Sequence, residues 1–183
     1  MNLTKGKLAA IIIAAIVIVD QISKIWVKTN FFYGEELKIT DWFILRFIEN
    51  NGMAFGLELG SKMLLTWFRI IAVGALFYCL YRIKDRKEFP IGFIACLALI
   101  TAGALGNLID CIFYGVIFDS PDFLQTATLF PEGGGYASLF NGRVVDMLYF
   151  PLVECDWPVW MPYCGGDHFI FFSPVFNIAD SAI

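Results

Sequence analysis

Apolar residues run without interruption from Leu8 to Val19, and Ile22, Ile25, Trp26 and Val27 carry the run past Asp20. Met63 to Tyr81 and Ile91 to Ile109 are two further stretches of the same kind. A helix needs about 20 mostly apolar residues to cross the ~30 Å core of a bilayer, which predicts membrane spans at about 8–27, 63–81 and 91–109. A fourth run, Phe169 to Ile183, is 15 residues long and still apolar where the sequence ends. At ~1.5 Å per residue it covers about three quarters of the core, so the last helix (169–183) is expected to be incomplete. The fold class expected is a membrane all-α protein: a four-helix transmembrane bundle with an incomplete fourth helix.

Between the first two spans the pattern changes. Trp42, Ile44, Arg46 and Ile48 alternate with Phe43, Leu45 and Phe47 before Asn50-Asn51-Gly52. Aromatic and β-branched residues ending in an Asn-Gly turn signal predict a small extracytoplasmic β-sheet over the outer helix ends. After Asp110, Pro121, Pro131 and Gly133-Gly134-Gly135 predict irregular structure with at most a short strand. Residues 1–183 are read as one integral membrane domain.

Composition agrees: 58% of residues are hydrophobic, 17% aromatic and 16% charged, far from the soluble average. Lys5 and Lys7 ahead of an apolar stretch look like the start of a signal peptide. The stretch leads into Asp20-Gln21-Ile22-Ser23-Lys24 and not a small-x-small cleavage site, so an uncleaved anchor is expected. Basic loops stay in the cytoplasm, which puts Lys5 and Lys7, and the link carrying Arg82, Lys84, Arg86 and Lys87, on that side. From Asp110 to His168 there are eight acids and one base, Arg143, which fits the opposite side. Asp20 then lies about 18 Å up the first helix, beyond the midplane, and Asp110 at the outer end of the third.

Carboxyl groups in or beside hydrocarbon are costly and usually functional, which singles out Asp20, Asp146 after Val144-Val145, and Asp180 in the last apolar run. Ala98, Ala102 and Gly106 recur every four residues and predict close helix packing. Asn107 and Asp110, three apart, share one helical face and need partners or a wet cleft.

Asp20-Gln21-Ile22-Ser23-Lys24, Asn50-Asn51-Gly52-Met53-Ala54-Phe55, Gly103-Ala104-Leu105-Gly106-Asn107-Leu108-Ile109-Asp110, Val144-Val145-Asp146 and Phe176-Asn177-Ile178-Ala179-Asp180-Ser181 resemble, in order, the motifs of lipoprotein signal peptidase (signal peptidase II). The resemblance covers nearly the whole chain. It implies a four-helix aspartic endopeptidase of the bacterial inner membrane, with its N-terminus cytoplasmic and its site toward the periplasm, that removes signal peptides from diacylglyceryl-modified prolipoproteins. It also implies Asp146 and Asp180 as the catalytic pair and Asn50, Gly52, Asn107, Asp110 and Asn177 as substrate-binding residues. Asp20, Lys24 and Gly103 match its supporting positions. The expected partners are a lipidated prolipoprotein and membrane lipid. The protein is expected to be a monomer without cofactor, metal or nucleic acid.

The chemistry can be argued independently. Two carboxyls held close together cannot both ionise cheaply, so one takes a proton from water while the other, protonated, hydrogen-bonds the carbonyl oxygen. Which aspartate holds the proton is open at this level. Asn177, three residues before Asp180, can share its helical face. Each aspartate also has a structural reading, as a helix-end ligand or an ion-pair partner. For Asp20 that reading carries at least equal weight, and Arg69 is expected to snorkel to the surface.

Ser23 and Lys24 point about 100° apart and do not form a Ser/Lys pair. Cys111 and His168 lack a third orienting group, and there is no CxxC or HExxH for a metal. Cys155 and Cys164 share the external loop and are candidates for a disulfide. The rivals in other classes are a small proton-coupled transporter, which the lack of an inverted repeat disfavours, and a non-catalytic lipoprotein-binding relative. Three departures from the family pattern stand out. Cys111 replaces the Arg that usually follows the third-helix Asp, with Arg143 the candidate substitute. An external insertion lies at about 117–142. The last helix is expected to be truncated.

Overall fold

The computed structural model describes residues 4–51 and 61–183; the Gly52 position lies outside them. Helix α1 (Lys5–Asn30) starts at Thr4, whose Oγ1 accepts from the Lys7 amide at 3.3 Å. Helix α2 spans Lys62–Ile83 and α3 spans Ile91–Ile109. All three are long and apolar enough to cross a membrane. From Asp110 to Tyr114, α3 loosens into a π turn, then closes with a last turn at Gly115–Ile117. Such turns are rare and often found at functional sites.

α3 is the central helix, packed against both α1 and α2. Ala98, Ala102 and Gly106 are buried along it, as their spacing predicts. At the inner end Ala9, Leu80, Ile83, Ile94 and Ala98 form one apolar cluster. At the outer end Val27, Phe31, Phe47, Tyr114, Phe118, Ala127, Val145 and Met147 form another, where the sheet meets the helices.

That sheet is antiparallel, in the order β1 (Glu36–Thr40), β2 (Phe43–Asn50), β3 (Val144–Tyr149), β6 (Val175–Phe176). The expected sheet is present, but the hairpin turns at Asp41–Trp42 and not at Asn50-Asn51. Asn50 instead ends β2 against β3, with Ile48 opposite Asp146 and Asn50 opposite Val144. Side chains alternate along a strand, so Asn50 and Asp146 share one face, while Glu49, Arg143, Val145 and Met147 belong to the other.

The last apolar run differs from the single helix expected over 169–183. Residues His168–Phe171 form β5, paired with β4 (Val153–Asp156), and β6 follows. Only Ile178–Ser181 is helical, as α4. Phe169, Ile170, Phe171, Val175 and Phe176 favour strands, and Pro174 blocks a helix through Phe172 and Ser173. Helix α4 begins at Asn177 with a capping box: Asn177 Oδ1 accepts from the Asp180 amide at 2.9 Å, and the Asp180 carboxylate accepts from the Asn177 amide at 3.3 Å.

The stretch 117–142 is docked on the bundle. Phe118 and Ala127 are buried in the outer cluster, the Ala127 amide donates to the Lys28 carbonyl, and the Phe140 carbonyl accepts from Thr66 Oγ1 at 2.9 Å. Cys155 and Cys164 are free thiols.

Candidate active site

Lys24 organises the depth of the site. Its ammonium lies 2.9 Å from Asp20, 2.8 Å from Asp110 and 2.9 Å from Asn107 Oδ1, and both ion pairs are fully buried. Lys24 is four residues after Asp20, so both project from one face of α1 toward α3. Asp20 Oδ1 also accepts from the Ala179 amide at 2.9 Å, tying α1 to the start of α4. Asp110 accepts from Gln21 Nε2 at 2.9 Å and from the Val145 amide at 3.4 Å, joining α1 and α3 to β3. Breaking a buried pair of this kind typically costs about 3–5 kcal/mol.

From Lys24 a relay of amides leads to the two outer aspartates. Asn107 Nδ2 donates to Asp180 Oδ1 at 2.7 Å. Asn177 Nδ2 donates to Asp146 Oδ1 at 2.7 Å, to Asn107 Oδ1 at 3.1 Å and to the Val145 carbonyl at 3.2 Å. Asn50 also hydrogen-bonds Asp146. The carboxyls of Asp146 and Asp180, 34 residues apart in sequence, therefore hang from neighbouring amides and sense each other's charge. Asp146 is 3% exposed, whereas Asp180 is exposed. Burial first, and the Asp180 charge second, push the Asp146 carboxyl up to about 7.

Close approach at this point requires glycine. A Cβ on Gly103 would fall 2.2 Å from the Ala179 carbonyl oxygen, and one on Gly106 would fall 2.7 Å from Asp20 Oδ2.

A cleft of about 260 Å³ opens on Asp180, lined also by Arg69, Val73, Ala104, Asn107 and Ile183. Arg69 does not snorkel: its Nη1 donates to Cys111 Sγ at 3.0 Å. It shares the inward side of α2 with the buried Thr66 and Val73, so the cleft supplies the polar surroundings that an outward-facing arginine would seek at the membrane surface. The guanidinium beside Cys111 thus comes from α2. Arg143 instead pairs with Glu49 at 2.9 Å, and Glu49 also binds the buried Lys28. Gln21, Arg69, Lys28 and Glu49 were not singled out as site residues from sequence. The spacing of Thr66, Arg69 and Val73 on one helical side is the signal that could have found Arg69.

Among the described residues no group of three or more His, Cys, Asp or Glu side chains could hold a metal ion.

The family model described as signal peptidase (SPase) II matches residues 12–183. A lipoprotein signal peptidase of Porphyromonas gingivalis is 52% identical over 182 residues, spanning 100% of this chain and 80% of the relative. Those of Amoebophilus asiaticus and Chlorobium phaeobacteroides are 36% and 32% identical, over 91% and 93% of this chain and 69% and 84% of their own length. A solved bacterial membrane enzyme is 26% identical with a TM-score of 0.62, covering 95% of this chain and 79% of that one. With a relative at this identity across the whole of this chain and a buried polar site between apolar helices, the chain belongs to the signal peptidase II family and is a membrane peptidase of the lipoprotein signal peptidase kind.

Proposed function

We propose that the protein is an aspartic endopeptidase that cuts diacylglyceryl-modified prolipoproteins at the outer leaflet of the bacterial inner membrane, with Asp146 and Asp180 as its catalytic pair. The observation that carries this reading is the amide relay that holds one buried carboxyl beside one exposed carboxyl. Asp146, with its proton retained to about pH 7, hydrogen-bonds the scissile carbonyl oxygen. Asp180, open to the cleft, accepts a proton from the attacking water. The tetrahedral intermediate then collapses as a proton passes to the leaving amide nitrogen, with no covalent enzyme intermediate.

Asn50, Asn107 and Asn177 orient the carboxyls, and Asn50 and Asn107 offer amides to the substrate backbone; Asn177, fully buried with its amide committed to Asp146, Asn107 and Val145, acts on the substrate through Asp146. Lys24, Asp20 and Asp110 hold the helices that carry them. The basic residues Lys5, Lys7, Arg82, Lys84, Arg86 and Lys87 favour a cytoplasmic inner end, which places the sheet toward the periplasm.

The test is incubation of the purified protein with a lipidated precursor, with the products weighed by mass spectrometry. Cleavage immediately before the lipidated cysteine is expected, with no proton flux when the protein is placed in liposomes. Proton flux without cleavage would favour a transporter.

A further inference from the structure

A groove of about 450 Å³ lies in the inner half of the bundle, away from the aspartates. One wall is α1, through Gly6, Ala10, Ala14 and Ile18, and the other is α2, through Phe77 and Tyr81, with Lys84 at its inner end. Helix α3 contributes Leu105. Gly103 faces Ala179 of α4, and Leu105, two residues on, points about 160° away around α3. The groove and α4 therefore lie on opposite sides of α3, and the groove is no part of the cleft at Asp180.

Its length and volume are those of one lipid tail. Gly6 and Ile18 stand about 18 Å apart along α1 at ~1.5 Å per residue, against about 15 Å for half of a ~30 Å bilayer core. A volume of about 450 Å³ holds roughly 15 methylene groups, each taken as the ~30 Å³ of a water molecule. The lining helices are long and apolar enough to cross a membrane, so the groove opens to lipid in the leaflet opposite the sheet.

The mouth of the groove is cationic. Residues 1–9 and 82–90 carry Lys5, Lys7, Arg82, Lys84, Arg86 and Lys87 against Asp85 and Glu88. Lys84 pairs with Asp85, and its stem lies 3.2 Å from where a Cβ on Gly6 would stand, so it crosses the mouth with its ammonium toward the surface. Lys5 Nζ donates to the Arg86 and Phe89 carbonyls at 3.0 and 2.6 Å. Lys7 is exposed and makes no ion pair among the described residues, and residues 1–3 beside it contain no acid. Lys7 shares a helical face with Ala14, two turns further along, which sets it above the groove.

We propose that the groove holds one acyl tail of an anionic phospholipid from the leaflet opposite the sheet, with the lipid phosphate at Lys7. Basic residues at the ends of membrane helices attract anionic headgroups, and the slot between α1 and α2 adds a seat for the tail. The inference goes beyond the peptidase reading and stands without it.

In the experiment the purified full chain, in detergent, is offered equal amounts of phosphatidylglycerol and phosphatidylcholine and weighed intact by mass spectrometry. The wild type is expected to retain one phosphatidylglycerol, favoured over phosphatidylcholine by about fivefold or more, the factor that one surface cation contributes. Phosphatidylglycerol should also raise the melting temperature more than phosphatidylcholine does. Lys7→Gln should lose about fivefold of the preference. The double variant Ala10→Leu with Ala14→Leu, which fills the groove from exposed positions of α1, should retain neither lipid and still melt as the wild type does in phosphatidylcholine.

Retention of no lipid by the wild type, or of both lipids equally, would overturn the inference. Phosphatidylglycerol retained unchanged by the leucine variant would overturn the assignment to this groove, and an unchanged preference in Lys7→Gln would overturn the place of the phosphate. Lipid-free pairs of chains that the leucine substitutions separate would give the groove to a second copy and overturn it as well. If the leucine variant does not fold, Lys7→Gln, a change at an exposed side chain, still decides.

Discussion

Asp146 combines the two properties an acid catalyst needs at neutral pH: a proton kept by burial and by the neighbouring Asp180 charge, and an amide donor, Asn177, that fixes the carboxyl in place. On the account above, kcat/KM falls as pH rises through about 7, approaching tenfold per unit, as Asp146 loses its proton. Steady-state cleavage between pH 5 and 9 checks this. The same carboxyl affects stability. Its native pKa of about 7 lies above the ordinary 3.8, so between those values the folded protein binds more protons than the unfolded chain. Stability therefore falls as pH rises across that window, by up to about 4 kcal/mol for an isolated group. Asp146→Asn removes this loss, so the variant should melt higher than wild type at pH 8 and show less difference at pH 5. Asn177→Ala deletes the side-chain cap of α4 and the amide that links Asp146 to Asn107. It should lower kcat by about 10²-fold or more, with a stability cost of about 1–3 kcal/mol, read by cleavage and thermal melting.

At the scale of elements, the site depends on how closely α4 approaches α3. Gly103→Ala would place a methyl 2.2 Å from the Ala179 backbone carbonyl, so it should displace α4 and largely abolish cleavage. Gly92→Ala, with nothing within 4 Å of the new methyl, should leave cleavage unchanged and stabilise α3 slightly, by up to about 1 kcal/mol. The three long helices were legible because a span is a local property of about 20 apolar residues. The last segment was not: its apolarity suits a lipid helix and a sheet edge equally, and Pro174 with the Asn177–Asp180 capping box decided between them. The register that sets Asn50 diagonally beside Asp146 joins residues about a hundred positions apart, beyond the reach of periodicity. Arg69 was misread because a cation near a span end is ordinarily a surface anchor. Only its place beside Thr66 and Val73 marks it as inward-facing.

At the scale of the molecule, three helices carry the charges into the membrane and the sheet closes over them. Asp20 reads as unusual from sequence because a carboxyl is rare at that depth, Asp110 reads as needing partners, and Lys24 stands out only through the family motif; the structure brings all three together. The pairing of Asp146 with Asp180 was foreseen only through the family motifs, since nothing local links a strand to a helix cap. If the sheet faces the periplasm, a membrane-impermeant maleimide should label the exposed Cys155 in spheroplasts without permeabilisation. Labelling that requires opened cells would invert the orientation.

The central claim is that these two carboxyls perform the cleavage, and single-turnover hydrolysis of a lipidated precursor by Asp146→Asn and by Asp180→Asn tests it most directly. Both variants are expected to remain folded in membranes, to bind the precursor and to cut it at least about 10³-fold more slowly than wild type. Cleavage by either at a rate near that of wild type would contradict the account.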